Sequence, residues 1–376
     1  MIRDDNAAPS LTKGPLQSDI TALDSDETTV VVFNLKRRFT GVSATVNGLL
    51  PAQNQLRHIA YCGTVLPNSS DRLSVLQAVS VSRRPPSNAA FRIWHLRRDH
   101  EMLIGLFARD VLRLPIRLVF TSAAQHLHGL FPRWLISKMD AVIATTTKAA
   151  TFVPNTTAVI PHGINTAHFM PPQDKREAWR ESGLPGEIGI GIFGRVRPDK
   201  GTDIFVEALI ATLPRFPKAT AVIAGLTQTR YQSFQATLAK KIDDAGLSER
   251  IIFLGEIPAD EVHSWYQRCL ICVACPRYEP FGLTPFEAAA SGCALVCSNT
   301  GAFEALVEEG VSGYLLPEND SNHLAAALAQ LLTDTRDTAR MGIEARKRVT
   351  LHFSIEREAE AIDAVYEHLF RAAALR

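Results

Sequence analysis

Pro276-Arg277-Tyr278-Glu279-Pro280-Phe281-Gly282-Leu283-Thr284-Pro285-Phe286-Glu287-Ala288-Ala289-Ala290-Ser291-Gly292 joins an apolar segment to an alanine-rich one through a proline–glycine turn. Residues 270–274, just before it, are short and wholly apolar, the pattern of a buried strand. Pro280 and Gly282 then impose a tight turn. Beyond the turn stands a helix start signal: Thr284 suits the N-cap, Pro285 the first helical position, and Glu287 lies three residues past the cap. Phe286, Ala289 and Ala290 supply an apolar face, and Gly292 can end the helix. A strand, a glycine turn and a helix N-terminus make an anion pocket, because unpaired N–H groups and the helix dipole face the same point. Glu279 and Glu287 bracket the turn. Each also has a plain interpretation, Glu287 as half of a capping box and Glu279 as a solvated loop charge.

Upstream, Ile188-Gly189-Ile190-Gly191-Ile192-Phe193-Gly194 contains G-x-G-x-x-G, the cue for a dinucleotide. Its glycines fall within the expected strand rather than at its end, and no acid stands about twenty residues on to hold a ribose. A dehydrogenase is therefore disfavoured. Gly194-Arg195-Val196-Arg197-Pro198-Asp199-Lys200-Gly201 follows and puts Arg195 and Lys200 on a strand-to-helix turn. From there both cations can converge on a diphosphate, arginine with planar paired donors and lysine as a point charge. Two solvated surface cations would be the alternative.

Nearer the N-terminus a strand at 29–35 runs into Lys36-Arg37-Arg38-Phe39-Thr40-Gly41, with a helix expected over 42–50. A strand at 91–95 is followed by Leu96-Arg97-Arg98-Asp99-His100-Glu101 and a helix to about 112, and a strand at 117–120 ends at Thr121-Ser122-Ala123-Ala124-Gln125-His126. Ligands of open α/β sheets bind past the carboxyl ends of strands. His95, Arg97, Arg98, Ser122 and His126 are thus expected along one cleft, beside the basic loop of Lys36, Arg37 and Arg38, where Gly41 permits close backbone approach. A solvated basic loop and buried, satisfied histidines are the competing possibilities. Further strands are expected at 140–145 and 158–161, and Pro171-Pro172-Gln173-Asp174-Lys175 has the composition of a linker.

A chain of 376 residues accommodates two domains, and 46% hydrophobic with 21% charged residues is ordinary for a globular protein. The expected division is a polar, acidic, disordered tail over 1–27, an α/β domain over 28–170, a second over 187–353, and a last helix over 354–376. The net charge of +1 conceals a split: residues 28–170 carry 16 Lys+Arg against 5 Asp+Glu, and residues 171–376 carry 22 against 28. A basic first half suggests an anionic partner, whether a phosphorylated glycolipid, an acidic membrane surface or nucleic acid. No nucleic-acid-binding motif accompanies it, so no nucleic acid partner is expected. No run of eighteen apolar residues occurs, and the start lacks the basic-then-apolar order of a signal peptide. A cytoplasmic protein is expected, with peripheral contact at the inner membrane face. Asp24-Ser25-Asp26 imitates a metal-binding Asp-x-Asp but precedes the first strand. Cys269, Cys272, Cys275, Cys293 and Cys297 fit buried strand positions better than a zinc site, having no second C-x-x-C pair at the right spacing. No metal is expected.

The Glu279–Glu287 spacing, with Pro-Phe-Gly between, resembles the E-x7-E motif of retaining nucleotide-sugar glycosyltransferases of the GT-B fold, family 4. Residues 194–201 resemble that family's G-R-x-x-x-x-K-G diphosphate loop, and residues 36–41 its acceptor-side loop. His162-Gly163-Ile164-Asn165-Thr166-Ala167-His168-Phe169-Met170-Pro171 is similar to its N-G-V-D-x-x-x-F-x-P segment, with His162 for Asn and Asn165 for Asp. Many relatives carry a histidine immediately after the strand that ends here at Phe120, where this chain has Thr121 and Ser122. The resemblance spans about residues 28–370, and residues 34–41, 94–98 and 134–145 look nearest to mannosyltransferases of lipopolysaccharide core assembly.

That resemblance implies two Rossmann-like domains facing each other across a cleft, with the C-terminal helix crossing back to the first. It implies hexose transfer with retention from a nucleotide sugar, GDP-mannose for this subgroup, to a lipopolysaccharide core or other anionic glycolipid. Gly194, Arg195, Lys200, Glu279, Phe281, Gly282, Leu283, Thr284 and Glu287 would bind the donor. Arg195, Lys200 and Glu279 would be catalytic, and no metal cofactor would be needed. Transfer from UDP-glucose, UDP-galactose or UDP-GlcNAc, sugar-nucleotide epimerisation, or non-catalytic binding of a nucleotide sugar are the alternatives.

Overall fold

The computed structural model describes residues 27–36, 40–69, 72–316 and 320–374. Arg37, Arg38 and residues 1–26 of the expected tail, with the Asp24–Asp26 pair, lie outside the described residues.

Short runs of β-branched and apolar residues make two sheets. The first comprises β1 (Val30–Asn34), β2 (Ile59–Gly63), β3 (Arg72–Leu73), β4 (Arg92–Leu96), β5 (Ile116–Ser122), β6 (Ala141–Ala144) and β7 (Thr156–Val159). The second comprises β8 (Ile188–Phe193), β9 (Ala219–Ala224), β10 (Ile251–Gly255), β11 (Cys269–Ala274), β12 (Ala294–Ser298) and β13 (Gly313–Leu316). Strand orders are β3-β2-β1-β4-β5-β6-β7 and β10-β9-β8-β11-β12-β13, with parallel pairing throughout. Both are doubly wound, and the order reverses between β1 and β4 and between β8 and β11. At such a switch point the following loops diverge and leave a crevice at the carboxyl ends of the strands. Helices cover both faces, which is why β1, β4, β9, β11 and β12 are buried along their whole length rather than alternating.

The last helix, Ile355–Ala374, packs on the helix Gly41–Leu56 of the first domain. Ile355, Ala359, Ile362 and Tyr366 share a core with Val30, Val32 and Ile93. Arg57 fastens the contact, pairing with Asp363 at 2.5 Å and Glu367 at 2.7 Å. The C-terminal helix therefore crosses back from the second sheet to the first. The helix Gly41–Leu56 also outruns the expected stop at residue 50, continuing through Pro51. Proline deprives the Asn47 carbonyl of its helical donor, and Asn68 Nδ2 supplies one instead at 3.1 Å.

Candidate active site

Two glycine-bearing loops meet at the switch point of the second sheet. The first leaves β8 at Gly194, passes a short 3-10 turn, Pro198–Lys200, and reaches Gly201 before the helix Thr202–Thr212. Gly201 has φ +72°, and a Cβ there would stand 1.9 Å from the Cys275 carbonyl oxygen. Only glycine lets this loop seat on the end of β11 and carry Lys200 into the pocket. The second loop leaves β11 and is stapled to the first by Arg277. Its N–H donates to the Asp199 carbonyl at 2.8 Å, and its guanidinium donates to Pro198 O and in bidentate fashion to Asp203 at 2.9 and 2.8 Å. Burial pushes the Asp203 carboxyl up, but the Arg277 pair outweighs it and holds the group below its ordinary range.

The helix of the Pro276–Gly292 stretch starts earlier than expected. It runs Leu283–Ala290 with Gly282, at φ +87°, as N-cap, and among the described residues no side chain caps it. Neither the Thr284 N-cap nor the Glu287 capping box forms. The reason is steric and tertiary: the Gly282 position lies against the Phe303 ring, where a Cβ would meet the ring at 2.4 Å, so the chain turns into the helix at the glycine. Glu287 is thereby free of the cap and accepts a hydrogen bond from Tyr266 OH at 2.8 Å. Burial raises its carboxyl to about 7, against the opposing effect of that bond. The first-turn N–H groups of Leu283 and Thr284 remain available for an anion. Gly292, at φ +76°, ends the helix as the sequence suggested.

Lys200 Nζ stands 2.5 Å from Glu279 Oε2, and both side chains are largely shielded from solvent. They line one pocket with Gly194, Gly282, Thr284 and Phe303. Gly194 and Thr284 also belong to a wider crevice between the two domains, where Arg195 and Tyr266 on one wall oppose Lys36, Thr40 and Gly41 on the other. The structure thus brings Arg195, Lys200, Glu279 and the helix tip to a single connected cavity. Phe281 is buried and stacks on Phe286, with ring centroids 5.0 Å apart, and it supports the loop from beneath.

On the first domain the expected residues divide. Lys36 and Gly41 line the crevice. Arg98 reaches from β4 to the end of β1, donating to Asn34 Oδ1, to Thr40 Oγ1 at 3.2 Å and to Glu101 Oε1 at 3.3 Å. His126 is exposed and faces the Tyr278 hydroxyl at 3.2 Å. His95 does not line the cleft: it is fully buried, with Nδ1 2.5 Å from Tyr366 OH and Nε2 2.7 Å from Thr121 Oγ1. Desolvation, helped by nearby Arg97, holds it well below the usual histidine range. Ser122 is also buried, because β5 extends through it instead of ending at Phe120. Arg97 is buried too, its N–H donating to Glu101 Oε2 at 2.8 Å.

Several residues of the site gave no local signal. Gln125 Nε2 bridges the domains by donating to the carbonyls of Pro280 at 2.9 Å and Gly301 at 3.0 Å. His162 Nδ1 lies 2.9 Å from Glu358 of the crossing helix and its ring meets the edge of Phe281 at 4.9 Å. Glu101 holds both the Leu35 and Arg97 N–H groups at the first switch point. Gly189 and Gly191 serve packing: a Cβ would strike the Trp179 ring at 2.3 Å and the Phe193 ring at 2.4 Å. The six cysteines are buried and free of disulfides, and burial drives the Cys275 thiol up to about 12.

Two doubly wound sheets meeting across a crevice, with a lysine–carboxylate pair and an uncapped helix tip at one switch point, define the GT-B class of group-transfer enzymes. Residues 174–348 match the family described as glycosyl transferases group 1. The chain is 40% identical over 347 residues to the lipopolysaccharide core biosynthesis mannosyltransferase LpcC of Rhizobium leguminosarum bv. viciae, covering 92% of this chain and 98% of that one. It is 40% identical over 355 residues to the lipopolysaccharide core biosynthesis mannosyltransferase LpsB of Rhizobium meliloti (strain 1021), covering 93% and 100%. Among solved structures, Anabaena Alr3699/HepE in complex with UDP superposes with a TM-score of 0.77 at 19% identity, over 91% of this chain and 100% of that one, a likeness of fold. The chain belongs to the glycosyltransferase group 1 family and is a glycosyltransferase of the GT-B fold.

Proposed function

We propose that the enzyme moves mannose, with retention, from GDP-mannose to a lipopolysaccharide core or closely similar anionic glycolipid. The observation that carries the mechanism is the Lys200–Glu279 pair beside the uncapped N-terminus of the helix Leu283–Ala290. As the bond from the anomeric carbon to the diphosphate breaks, negative charge builds on the leaving nucleoside diphosphate. Lys200, Arg195 and the N–H groups of Leu283 and Thr284 stabilise that charge by preorganised electrostatics. Glu279, released from Lys200, accepts hydrogen bonds from donor-sugar hydroxyls, and Glu287 accepts one from the ribose. The acceptor hydroxyl forms the new bond on the face the diphosphate leaves, and the departing phosphate oxygen takes its proton. Gln125, His162 and the crossing helix keep the two walls together so that water is excluded.

Mannose and the lipopolysaccharide acceptor are supported by the two relatives at 40% identity, both lipopolysaccharide core mannosyltransferases. The basic first domain favours an anionic acceptor at the cytoplasmic face of the inner membrane. The test is a panel of nucleotide sugars: GDP-mannose should give the largest thermal stabilisation and, with deacylated core oligosaccharide, release GDP. Selective response to a UDP-sugar would replace the donor assignment. Turnover should persist in excess EDTA, since cations of the chain carry the diphosphate charge. Strict dependence on a divalent ion would refute that role.

A further inference from the structure

At the carboxyl edge of the first sheet, two buried polar side chains have nothing to bond. Arg97 follows β4 and is 8% exposed, and among the described residues its Nε and Nη2 meet no acceptor. Thr145 follows β6, is fully buried, and its hydroxyl is likewise unpartnered. Both stand on the face of the sheet that the crossing helix covers. His95, two residues before Arg97, meets Tyr366 and Thr121 there, and Ile143, two residues before Thr145, shares a core with Ile355 and Tyr366. Side chains two apart along a strand share a face. Only β5 separates β4 from β6, so the two groups rise from strands about 10 Å apart.

The unpaired guanidinium edge is the larger anomaly. Nε–H and Nη2–H lie on one side of the guanidinium plane and point in parallel, the fork that grips two oxygens of a carboxylate or phosphate. Buried charged donors left unbonded are costly. The neighbouring acids do not fill the fork. Glu358 meets His162 Nδ1 at 2.9 Å and accepts from the Gly163 N–H at 2.7 Å. Glu101 accepts from the N–H groups of Leu35 at 2.9 Å and of Arg97 at 2.8 Å. Desolvation, with Arg98 nearby, pulls the Arg97 guanidinium below its ordinary range, against the opposing effect of Glu358, Tyr366 and Glu101.

Thr145 leads to space for a ligand. With Thr146, Lys148, Asn299, Thr300 and Glu304 it lines a cavity of about 540 Å³ walled by both domains, a volume ordinary for a small-molecule site. Its hydroxyls and amide suit the hydroxyls of a sugar. Gly301, in the same wall, backs onto the donor loop: a Cβ there would lie 3.3 Å from Glu279 Cγ. A saccharide in this cavity is therefore beside the carboxylate assigned to the donor sugar. The Arg97 edge is shut off from solvent, so an anion reaches it when the two walls part.

We propose that the first domain recognises an oxyanion of the acceptor, a carboxylate or a phosphate, on the Nε–Nη2 edge of Arg97, with Thr145 donating a further bond and the attached sugar seated in the cavity beyond it. The proposal rests on the anionic glycolipid acceptor of the preceding section and names the group by which that acceptor is recognised.

The experiment is steady-state transfer from GDP-mannose to three forms of deacylated core oligosaccharide: untreated, carboxyl-reduced and phosphatase-treated. For the wild type, the treatment that removes the recognised group should raise acceptor KM about ten- to a hundredfold, which tells carboxylate from phosphate. Arg97→Gln should raise KM for the untreated acceptor by the same factor, lose nothing further on the treated one, and keep the wild-type KM for GDP-mannose. Arg97→Lys, with the charge but not the fork, should fall between. The Tm of Arg97→Gln should equal or exceed that of wild type, because an unbonded buried charge is gone. Wild type that uses all three forms alike, or Arg97→Gln that still discriminates, would overturn the Arg97 site and leave the transfer assignment standing. A lowered Tm in Arg97→Gln that Glu358→Gln restores would make Arg97 a structural cation and overturn it equally. Wild type stabilised by GDP-mannose yet inactive on every form would sink the acceptor assignment itself, and this proposal with it.

Discussion

Lys200 Nζ and Glu279 Oε2 lie 2.5 Å apart, although the two residues come from different loops and belong to different βα units of the second sheet. Each is the other's counterion, so a diphosphate that engages Lys200 would take it from Glu279 and leave the carboxylate free for a sugar hydroxyl. Lys200→Ala and Glu279→Ala should each lower kcat by about a hundred- to a thousandfold. The double variant should be little worse than either single one, because the two act as a unit. Nucleoside diphosphate release measures this; near-wild-type turnover in either single variant would remove the pair from the mechanism.

Arg277 fixes the relative position of both loops without lining the pocket. Arg277→Lys loses the bidentate bond to Asp203 and should cost about 1–3 kcal/mol in donor affinity. Asp203→Asn should behave alike, and the combined change should be non-additive. Titration calorimetry with the nucleoside diphosphate reads the effect. Additive losses would show that the two residues act separately.

Gly282 has φ +87° and abuts the Phe303 ring. Gly282→Ala should lower stability by about 1–3 kcal/mol through strain and the clash, and lose donor binding because the helix tip shifts. Gly183, also at positive φ but with open space around it, is the control: Gly183→Ala should cost only the backbone strain and leave activity intact. Equal activity losses in the two variants would contradict a positional role for Gly282.

Glu287 gives a pH dependence with a definite sign. Its carboxyl rises from an ordinary 4.5 to about 7 on folding, chiefly by burial. Between those values the folded chain holds the proton more tightly than the unfolded one, so this group's contribution to stability is full at low pH and lost as pH rises toward 7. Glu287→Gln should flatten the fall in Tm from pH 5 to pH 8. A ribose hydroxyl donates best to the ionised acid, so donor binding should release protons near neutrality. Calorimetry in buffers of different ionisation enthalpy should detect that release in wild type and not in Glu287→Gln.

The local features of this enzyme were present in its order of residues. Buried parallel strands announce themselves as unbroken apolar runs, and Gly194, Arg195, Lys200 and Gly201 are neighbours whose loop geometry is set within eight residues. Glu279 and Glu287 bracket one turn, and the pocket takes Glu279 while Glu287 is turned to the Tyr266 hydroxyl. Partners far along the chain decided the rest. His95 looks like a cleft residue until Thr121 and, 271 residues away, Tyr366 enclose both ring nitrogens. Thr284 is a good N-cap in isolation, yet Phe303 packs on the turn and moves the helix start to Gly282. Gln125 meets Pro280 across 155 residues and Arg277 meets Asp203 across 74. Whether a polar side chain is buried, paired or open to a ligand depends on what packs against it, and that environment exists only once the two sheets and the crossing helix have come together.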